Sequence, residues 1–159
     1  MGYIILGNID DSYLQADSKE CCLKLVNETI KLFESLGFVV NIPKSIVDPT
    51  HEIVFLGFVL NSRDMTVKLT EDRVERVIAA CQTLRQKIVD SIRNVAQVIG
   101  LIVSSFPGVE NGQLFYRTLE RAKIEALSLS NGNFDKEMKI TNIMKAYLTW
   151  WIENLRVQK

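Results

Sequence analysis

The apolar residues of this chain follow one pattern up to residue 68 and a different pattern from residue 69 onward. In the first part, short β-prone runs are separated by turn residues, and one helical stripe lies between them. In the second part, apolar residues recur every three or four positions, as they do in amphipathic helices. The pattern therefore predicts an α+β fold in which short antiparallel strands precede a helical segment.

Two adjacent carboxylates lie at the predicted tip of an opening hairpin. Apolar runs at residues 3–6 and 13–14 flank Asp10 and Asp11, as expected for two strands joined by a turn. Because adjacent acids repel each other, a fold that holds them at a tight turn often supplies a cation, and oxygen ligands suit Mg²⁺. The alternative is an Asx-type turn without a metal, since aspartate is common in turns.

A helix and three strands are predicted after the hairpin. Asp17 and Ser18 predict the start of the helix, and Gly37 predicts its end. The helix carries an apolar stripe at Cys22, Val26, Thr29, Phe33 and Leu36. The strands are predicted at residues 38–42, 52–60 and 65–69, with a turn at residues 61–64.

Four helices are predicted in the second part. Thr70 and Ser91 begin the first two, because hydroxyl side chains cap backbone N–H groups. Residues 106–108 (Phe-Pro-Gly) end the second helix, and the others are predicted at residues 114–127 and 136–155, separated by a Ser/Asn/Gly linker. The expected inward positions are Val74, Val77, Ile78, Cys81, Leu84 and Ile88, then Val95, Val98, Ile99 and Ile102, and finally Ile143, Met144, Tyr147, Leu148 and Trp151.

Composition and charge narrow the class of protein. Hydrophobic residues make up 47% of the 159 residues, which is enough for a packed core. The net charge is zero, but residues 1–68 carry six Lys and Arg against nine Asp and Glu, and later residues carry 13 against 10. An acidic segment followed by mildly basic helices is compatible with a metal site beside a surface that binds a polyanion.

The cysteine and histidine content argues against a disulfide framework or a zinc site. There are three cysteines, two of them adjacent, and a single histidine. The sequence also shows no apolar run long enough to span a membrane and no signal-peptide pattern. We therefore expect an intracellular protein, cytoplasmic or nuclear, without a membrane partner.

Three motifs in the first part resemble those of reverse transcriptases. Residues 8–11 (Asn-Ile-Asp-Asp) resemble the Tyr-x-Asp-Asp box. Residues 36–38 (Leu-Gly-Phe) with Lys44-Ser45 resemble the motif that follows, and residues 55–58 (Phe-Leu-Gly-Phe) resemble the primer-grip hairpin. Each motif is weak alone, but their order and spacing together are specific.

Segments of the second part narrow the resemblance. Residues 91–100, 104–107, 116–120 and 148–151 are similar to reverse transcriptases of tyrosine-recombinase (DIRS-type) retrotransposons. The resemblance implies three regions. Residues 1–68 would be the C-terminal part of the polymerase palm, residues 69–127 a helical thumb, and residues 128–159 a linker and the start of a connection helix.

The resemblance implies RNA-directed DNA synthesis by two-metal nucleotidyl transfer, with Mg²⁺, a primer–template and a dNTP. Asp10 would be the shared metal ligand and Asp11 a more peripheral one. Lys44 would lie near the leaving pyrophosphate as a proton donor or electrostatic partner. The alternative for Lys44 is an ordinary solvated loop lysine.

The resemblance also implies contacts with nucleic acid. Asn8 replaces the tyrosine that lies by the primer terminus, and the backbone of residues 55–57 (Phe55, Leu56 and Gly57) would approach the primer phosphates. The candidate phosphate contacts of the thumb are Arg73, Arg76, Arg85, Lys87 and Arg93. Each of them could instead belong to a solvated helix face balanced by neighbouring acids. We expect Tyr147, Trp150 and Trp151 to be core rather than a stacking platform, with one of the tryptophans meeting a partner surface.

The chain departs from the family in what it lacks. The fingers, the first catalytic aspartate and the other half of the palm lie upstream in the family and are not in this sequence. We therefore expect weak or absent Mg²⁺ binding and no polymerisation by this chain alone. The unpaired edge of the opening hairpin could also lead to self-association. Two other hypotheses remain open, a non-catalytic module that binds nucleic-acid duplex and a host-recruited interaction protein.

Overall fold

The computed structural model describes residues 4–8 and 10–157. Tyr3 and Ile9, which belong to the predicted hairpin, lie outside the described residues. The chain divides into two compact units, Met1–Phe55 and Leu56–Lys159. The described residues form five α-helices and short strands, and the predicted α+β class is confirmed.

The first unit opens with the predicted hairpin. Strand β1 (Ile4–Asn8) pairs antiparallel with β2 (Asp11–Gln15), and Asn8 and Asp11 form the pair next to the turn. Helix α1 (Lys19–Ser35) follows, and strand β3 (Glu52–Phe55) is the last element of this unit. The side chain of Ser18 accepts a hydrogen bond from the backbone N–H of Cys21 at 3.2 Å, so the predicted N-cap is confirmed.

Gly37 ends α1 as predicted, with φ at 87°. The N–H of Gly37 donates to the carbonyl of Glu34, and the N–H of Phe38 donates to the carbonyl of Phe33, each at 3.0 Å. The rings of Phe33 and Phe38 pack edge to face at 6.1 Å. These two hydrogen bonds and the apolar contact define a Schellman motif.

The prediction of a strand at residues 38–42 is wrong. The chain there is irregular and enters a 3₁₀ turn at Ile42–Lys44. Pro43 has no N–H to donate to a strand ladder, and its fixed φ suits the start of such a turn. Val39 is 96% exposed, and Leu25 is the one buried apolar side chain among the described residues of this unit. Of the predicted stripe of α1, Thr29 is buried and Leu36 is exposed.

The strand predicted at residues 52–60 is interrupted by a turn. β3 ends at Phe55, and β4 (Phe58–Asn61) begins after Leu56 and Gly57, whose φ values are 51° and 79°. Two successive residues with positive φ are typical of a type I′ hairpin turn. Strand β5 (Thr66–Leu69) pairs antiparallel with β4, as predicted for the turn at residues 61–64.

The second unit packs four helices around one core. They are α2 (Glu71–Gln86), α3 (Ile92–Val103), α4 (Arg117–Leu129) and α5 (Asn142–Val157). The side chain of Ser91 caps α3 by accepting from the N–H of Asn94 at 3.2 Å. The buried side chains include Val74, Val77, Cys81, Leu84, Val95, Val98, Ile99, Ile102, Met144, Leu148 and Trp151, as predicted. Burial raises the pKa of the Cys81 thiol to about 12, so this thiol is inert.

Four predictions in the second unit need correction. Thr70 precedes α2 as predicted, but its side chain makes no capping hydrogen bond. The last helix begins at Asn142, because residues 137–139 form β7 (Glu137–Lys139), which pairs with β6 (Val89–Ser91). The third helix covers residues 117–129 rather than 114–127, and a 3₁₀ turn at Gly112–Leu114 precedes it. Ile88 follows the end of α2 and is 71% exposed, and Ile143 is 62% exposed in the first turn of α5.

The tryptophan pair lies in the core of the second unit. Trp151 is fully buried, and the half-buried ring of Trp150 stacks on Phe115 at 3.9 Å. Tyr147 packs against the same core. These aromatic residues are therefore core, as expected, and the contact of one tryptophan with a partner surface stays a prediction. None of the helices in the part of the chain described here has the length and apolar character that crossing a membrane requires.

Candidate nucleic-acid interface

The two adjacent aspartates are at the tip of the hairpin in the first unit. Asp10 lies in the turn, and Asp11 is the first residue of β2, opposite Asn8. All three side chains are exposed. The hairpin forms as the sequence predicts, because β-prone runs lie on both sides of the turn, with Asp10 in the turn and Asp11 at the start of β2.

These two carboxylates do not form a complete site for a magnesium pair. Among residues 4–8 and 10–157, no group of three or more His, Cys, Asp or Glu side chains could hold a metal ion. Mg²⁺ requires convergent oxygen ligands in octahedral geometry. Asp10 and Asp11 would therefore supply two oxygen ligands, and other ligands would have to complete the site.

Lys44 is the last residue of the 3₁₀ turn that follows Pro43, and its side chain is exposed. Its backbone N–H donates to the carbonyl of Asn41 at 3.1 Å. Within the described part of the chain, no hydrogen bond or ion pair joins Lys44 to Asp10 or Asp11. The structure thus places the three predicted catalytic residues in the first unit without bringing the lysine into contact with the aspartates.

The turn at Leu56 and Gly57 is held by its carbonyl groups. The carbonyl of Leu56 accepts from Nη1 of Arg73 at 2.7 Å, and the carbonyl of Gly57 accepts from the N–H of Thr70 at 3.1 Å. The side chain of Phe55 is half-buried, and its ring lies 5.6 Å from that of Tyr13. The side chain of Leu56, by contrast, is 41% exposed. Contact of this backbone with a primer stays a prediction.

Arg73 has more partners than the other predicted cations. Besides Leu56, it donates from Nη2 to the carbonyl of Ser104 at 2.7 Å, and its guanidinium lies 4.7 Å from the centre of the Phe58 ring. Burial, followed by the charge of Arg76, lowers the pKa of Arg73. These contacts fix the side chain on the protein.

The other four predicted cations also have partners within the second unit. Three form ion pairs, Arg76 with Asp72 at 2.6 Å, Lys87 with Asp90 at 2.8 Å and Arg93 with Asp135 at 2.8 Å. Arg85 donates to the hydroxyl of Thr149 at 3.2 Å. Hydrogen bonding to Asp135 raises the pKa of Arg93 and lowers that of Asp135. Their availability for phosphate binding stays a prediction.

Two cations that the sequence reasoning did not select are also candidates. Arg117 and Arg121 are exposed one turn apart on α4, and no ion pair or hydrogen bond of the described residues engages either side chain. The i,i+4 spacing of two arginines on one helix was the signal that could have found them. Their free guanidinium groups suit phosphate oxygens.

The two units differ in charge. Residues 1–55 carry four Lys and Arg against eight Asp and Glu, and residues 56–159 carry 15 against 11. The first unit therefore has a net charge of −4 and the second a net charge of +4. A net positive charge favours association with a polyanion.

Comparison with known proteins gives a fold likeness. No family model matches this sequence, and no curated protein matches it. The chain is similar to a solved structure of the foamy viral protease-reverse transcriptase dRH in complex with ds DNA. The TM-score is 0.63 and the identity 20%, and the match covers 98% of this chain and 25% of that chain. At this identity the likeness shows the fold, and the chain spans about a quarter of the length of the protein that it matches.

Proposed function

We propose that this chain is a segment of a reverse-transcriptase-type polymerase of a retrotransposon and that its second unit binds a nucleic-acid duplex. The observation that carries this proposal is the fold likeness, which covers 98% of the chain and involves a reverse transcriptase bound to double-stranded DNA. The exposed carboxylates at a hairpin tip and the tight turn at residues 56–57 agree with the polymerase motifs that the sequence resembles.

In this proposal the first unit contributes to chemistry and the second to binding. Asp10 and Asp11 provide carboxylate oxygens toward Mg²⁺, which in a polymerase would activate the primer hydroxyl and neutralise the triphosphate. Because these oxygens are fewer than a metal pair requires, the chain by itself binds duplex without extending a primer. Lys44 remains a candidate to lie near the leaving pyrophosphate, as a proton donor or electrostatic partner.

The positively charged unit supplies the phosphate contacts. Arg117 and Arg121 reach phosphate without breaking an interaction within the protein, whereas Arg76, Lys87 and Arg93 would have to share their side chains with acids. The backbone of Leu56 and Gly57 supplies a close approach to the strand. Contacts of this kind bind duplex with little sequence preference.

Fluorescence anisotropy with a labelled RNA–DNA hybrid, a DNA duplex and a single strand of the same sequence tests the proposal. The expected result is binding of both duplexes, weakened when Arg117 and Arg121 are both replaced by glutamine. The matched control is Glu110→Gln, which removes an exposed acid from the same unit. A folded chain that binds none of the three nucleic acids would contradict the proposal.

A duplex-binding module without chemistry is the second candidate. It is favoured because, among the described residues, no group of three or more His, Cys, Asp or Glu side chains could hold a metal ion. The two candidates differ when the rest of a polymerase palm is supplied in trans. Restored primer extension supports the polymerase segment, and unchanged binding without extension supports the module.

A further inference from the structure

The guanidinium of Arg73 joins three parts of the second unit that are far apart in sequence. It extends from the first turn of α2 to the carbonyls of Leu56 and Ser104, each at 2.7 Å, and lies over the ring of Phe58. An arginine side chain offers five N–H donors in a rigid fork, so one residue can satisfy two carbonyls at once. A lysine offers a single nitrogen and cannot span both in the same way.

Each of the two contacts of Arg73 has a physical reason. Ser104 is the C-cap of α3, where the last carbonyls have no partner within the helix and where a cation interacts favourably with the helix dipole. Leu56 has a φ of 51°, which is strained for a residue with a side chain. A strained turn persists when its surroundings fix it.

The space around Gly57 points to the same contact. Its φ is 79°, and a Cβ at this position would lie 2.7 Å from Nη1 of Arg73. The turn and the arginine therefore fit each other only when residue 57 has no side chain. The side chain of Arg73 thus occupies the space beside Gly57 where a side chain of residue 57 would lie.

We propose that Arg73 is a positioning residue, which holds the Leu56–Gly57 turn in the shape that meets a duplex backbone, rather than a phosphate ligand itself. This inference rests on the proposed function, because it deepens the role given there to the turn. Arg73 donates hydrogen bonds to two backbone carbonyls, so its guanidinium interacts with the protein rather than with phosphate. Its loss would alter the turn and leave the number of phosphate-bound cations unchanged.

Duplex affinity and its salt dependence, measured for Arg73→Lys and Arg73→Gln, test this inference. We expect both variants to bind about 10- to 100-fold more weakly, which corresponds to loss of a hydrogen bond to a charged group. The slope of log affinity against log salt should stay that of the unmodified chain. If Arg73 contacted phosphate, Arg73→Lys would keep the affinity, and Arg73→Gln would reduce the slope by about 0.9. That pair of results would overturn the inference.

A second measurement does not depend on nucleic acid. Amide hydrogen exchange at residues 56–58 should be faster in Arg73→Lys than in the unmodified chain, while exchange in the interior of α5 stays slow. The control Arg76→Gln, which removes an exposed arginine from the same helix, should leave exchange at the turn unchanged. Unchanged exchange in Arg73→Lys would overturn the inference even if duplex binding is observed.

The two proposals fail in different ways. A folded, unmodified chain that binds no duplex overturns the proposed function and, with it, the role of the turn in binding. Normal duplex binding by Arg73→Lys together with unchanged exchange overturns the positioning role alone. Gly57→Ala provides a further check, since the new Cβ should displace Arg73 and weaken binding about as much as Arg73→Gln, with little additional loss in the double variant.

Discussion

The indole N–H of Trp151 donates a hydrogen bond to the backbone carbonyl of Phe115 at 2.9 Å, and the tryptophan is fully buried. The bond ties α5 to the segment just before α4. Its neighbour Trp150 makes a different contact, stacking face to face on the ring of Phe115. One residue therefore organises both tryptophans, which explains how two adjacent large side chains can belong to the same core.

Replacing Trp151 by phenylalanine should destabilise the chain strongly. The change leaves a cavity and an unsatisfied carbonyl, which together cost about 2–4 kcal/mol of the free energy of unfolding. Urea denaturation of the full chain, followed by circular dichroism, measures this. Trp150→Phe is the matched control, since it keeps a ring to stack on Phe115 and should cost about 1 kcal/mol. Equal losses for the two variants would contradict this assignment.

Two glycines should respond oppositely to a methyl group. A Cβ on Gly112 would lie 2.7 Å from the Trp151 ring, so Gly112→Ala should destabilise by about 1–3 kcal/mol through overpacking. Gly100 lies in α3 with no neighbouring atom within 4 Å of the added carbon. Gly100→Ala should stabilise by about 0.5–1 kcal/mol, because alanine has the higher helix propensity. Thermal unfolding of the two variants checks both signs.

Asp90 should contribute stability that depends on pH. Burial alone would raise its pKa, but hydrogen bonds from Lys87, Asn94 and the backbone of Ser91 lower the pKa below its ordinary value of 3.8. Its contribution is therefore complete above the ordinary value and is lost as the pH falls through the lower folded-state pKa. Asp90→Asn should cost about 1–2 kcal/mol at neutral pH and less in acid.

The control for this prediction is Asp72→Asn. Asp72 pairs with Arg76 on the exposed face of α2, where its side chain is 82% exposed. An exposed ion pair contributes little, so this variant should change stability by less than about 1 kcal/mol. A loss for Asp90→Asn that is the same at every pH would contradict the prediction.

The first unit should associate through its hairpin. Within the described part of the chain, β1 and β2 form a two-stranded sheet, and Ile4, Ile5 and Leu6 are 47%, 54% and 52% exposed. An apolar strand at an open edge favours pairing with another chain. We expect sedimentation velocity to show association that increases with concentration and is reduced by Ile5→Lys. The exposed-loop variant Val39→Lys serves as the control, and a chain that stays monomeric throughout would contradict the prediction.

The chain alone should show no Mg²⁺-dependent primer extension. The described residues provide two adjacent carboxylates, and a two-metal reaction requires more oxygen ligands than these. A gel assay with primer–template and dNTP measures extension directly, with Asp10→Asn as the control. Template-directed extension by the unmodified chain that disappears in Asp10→Asn would show that this prediction is wrong.

Features that depend on neighbouring residues, such as helix caps and hairpin turns, were predicted well from the sequence. Ser18 and Ser91 cap their helices, and Gly37 ends α1, because caps depend on residues within one turn. The buried stripes of α2 and α3 follow from helical periodicity. The hairpin with Asp10 in its turn follows from β-prone runs on either side of turn residues.

Long-range pairing explains the errors. Residues 137–139 leave the predicted helix because they pair with residues 89–91, about 48 positions earlier in the chain. Residues 38–42 are apolar enough for a strand, but Pro43 and the lack of a ladder among the described residues leave them irregular. The same limit applies to the site. The partners of Arg93 and Arg85 lie 42 and 64 positions away along the chain. The sequence therefore showed that these residues are charged but did not show which residues they contact.

The most direct test of the central claim is the salt dependence of duplex binding by the full chain. A log–log plot of affinity against salt concentration should be linear, with a slope of about −0.9 for each phosphate that a cation neutralises on DNA. The account predicts a slope that corresponds to at least two such contacts, reduced when Arg117 and Arg121 are both replaced by glutamine. A folded chain that shows no binding at low salt, or binding that salt does not weaken, would contradict it.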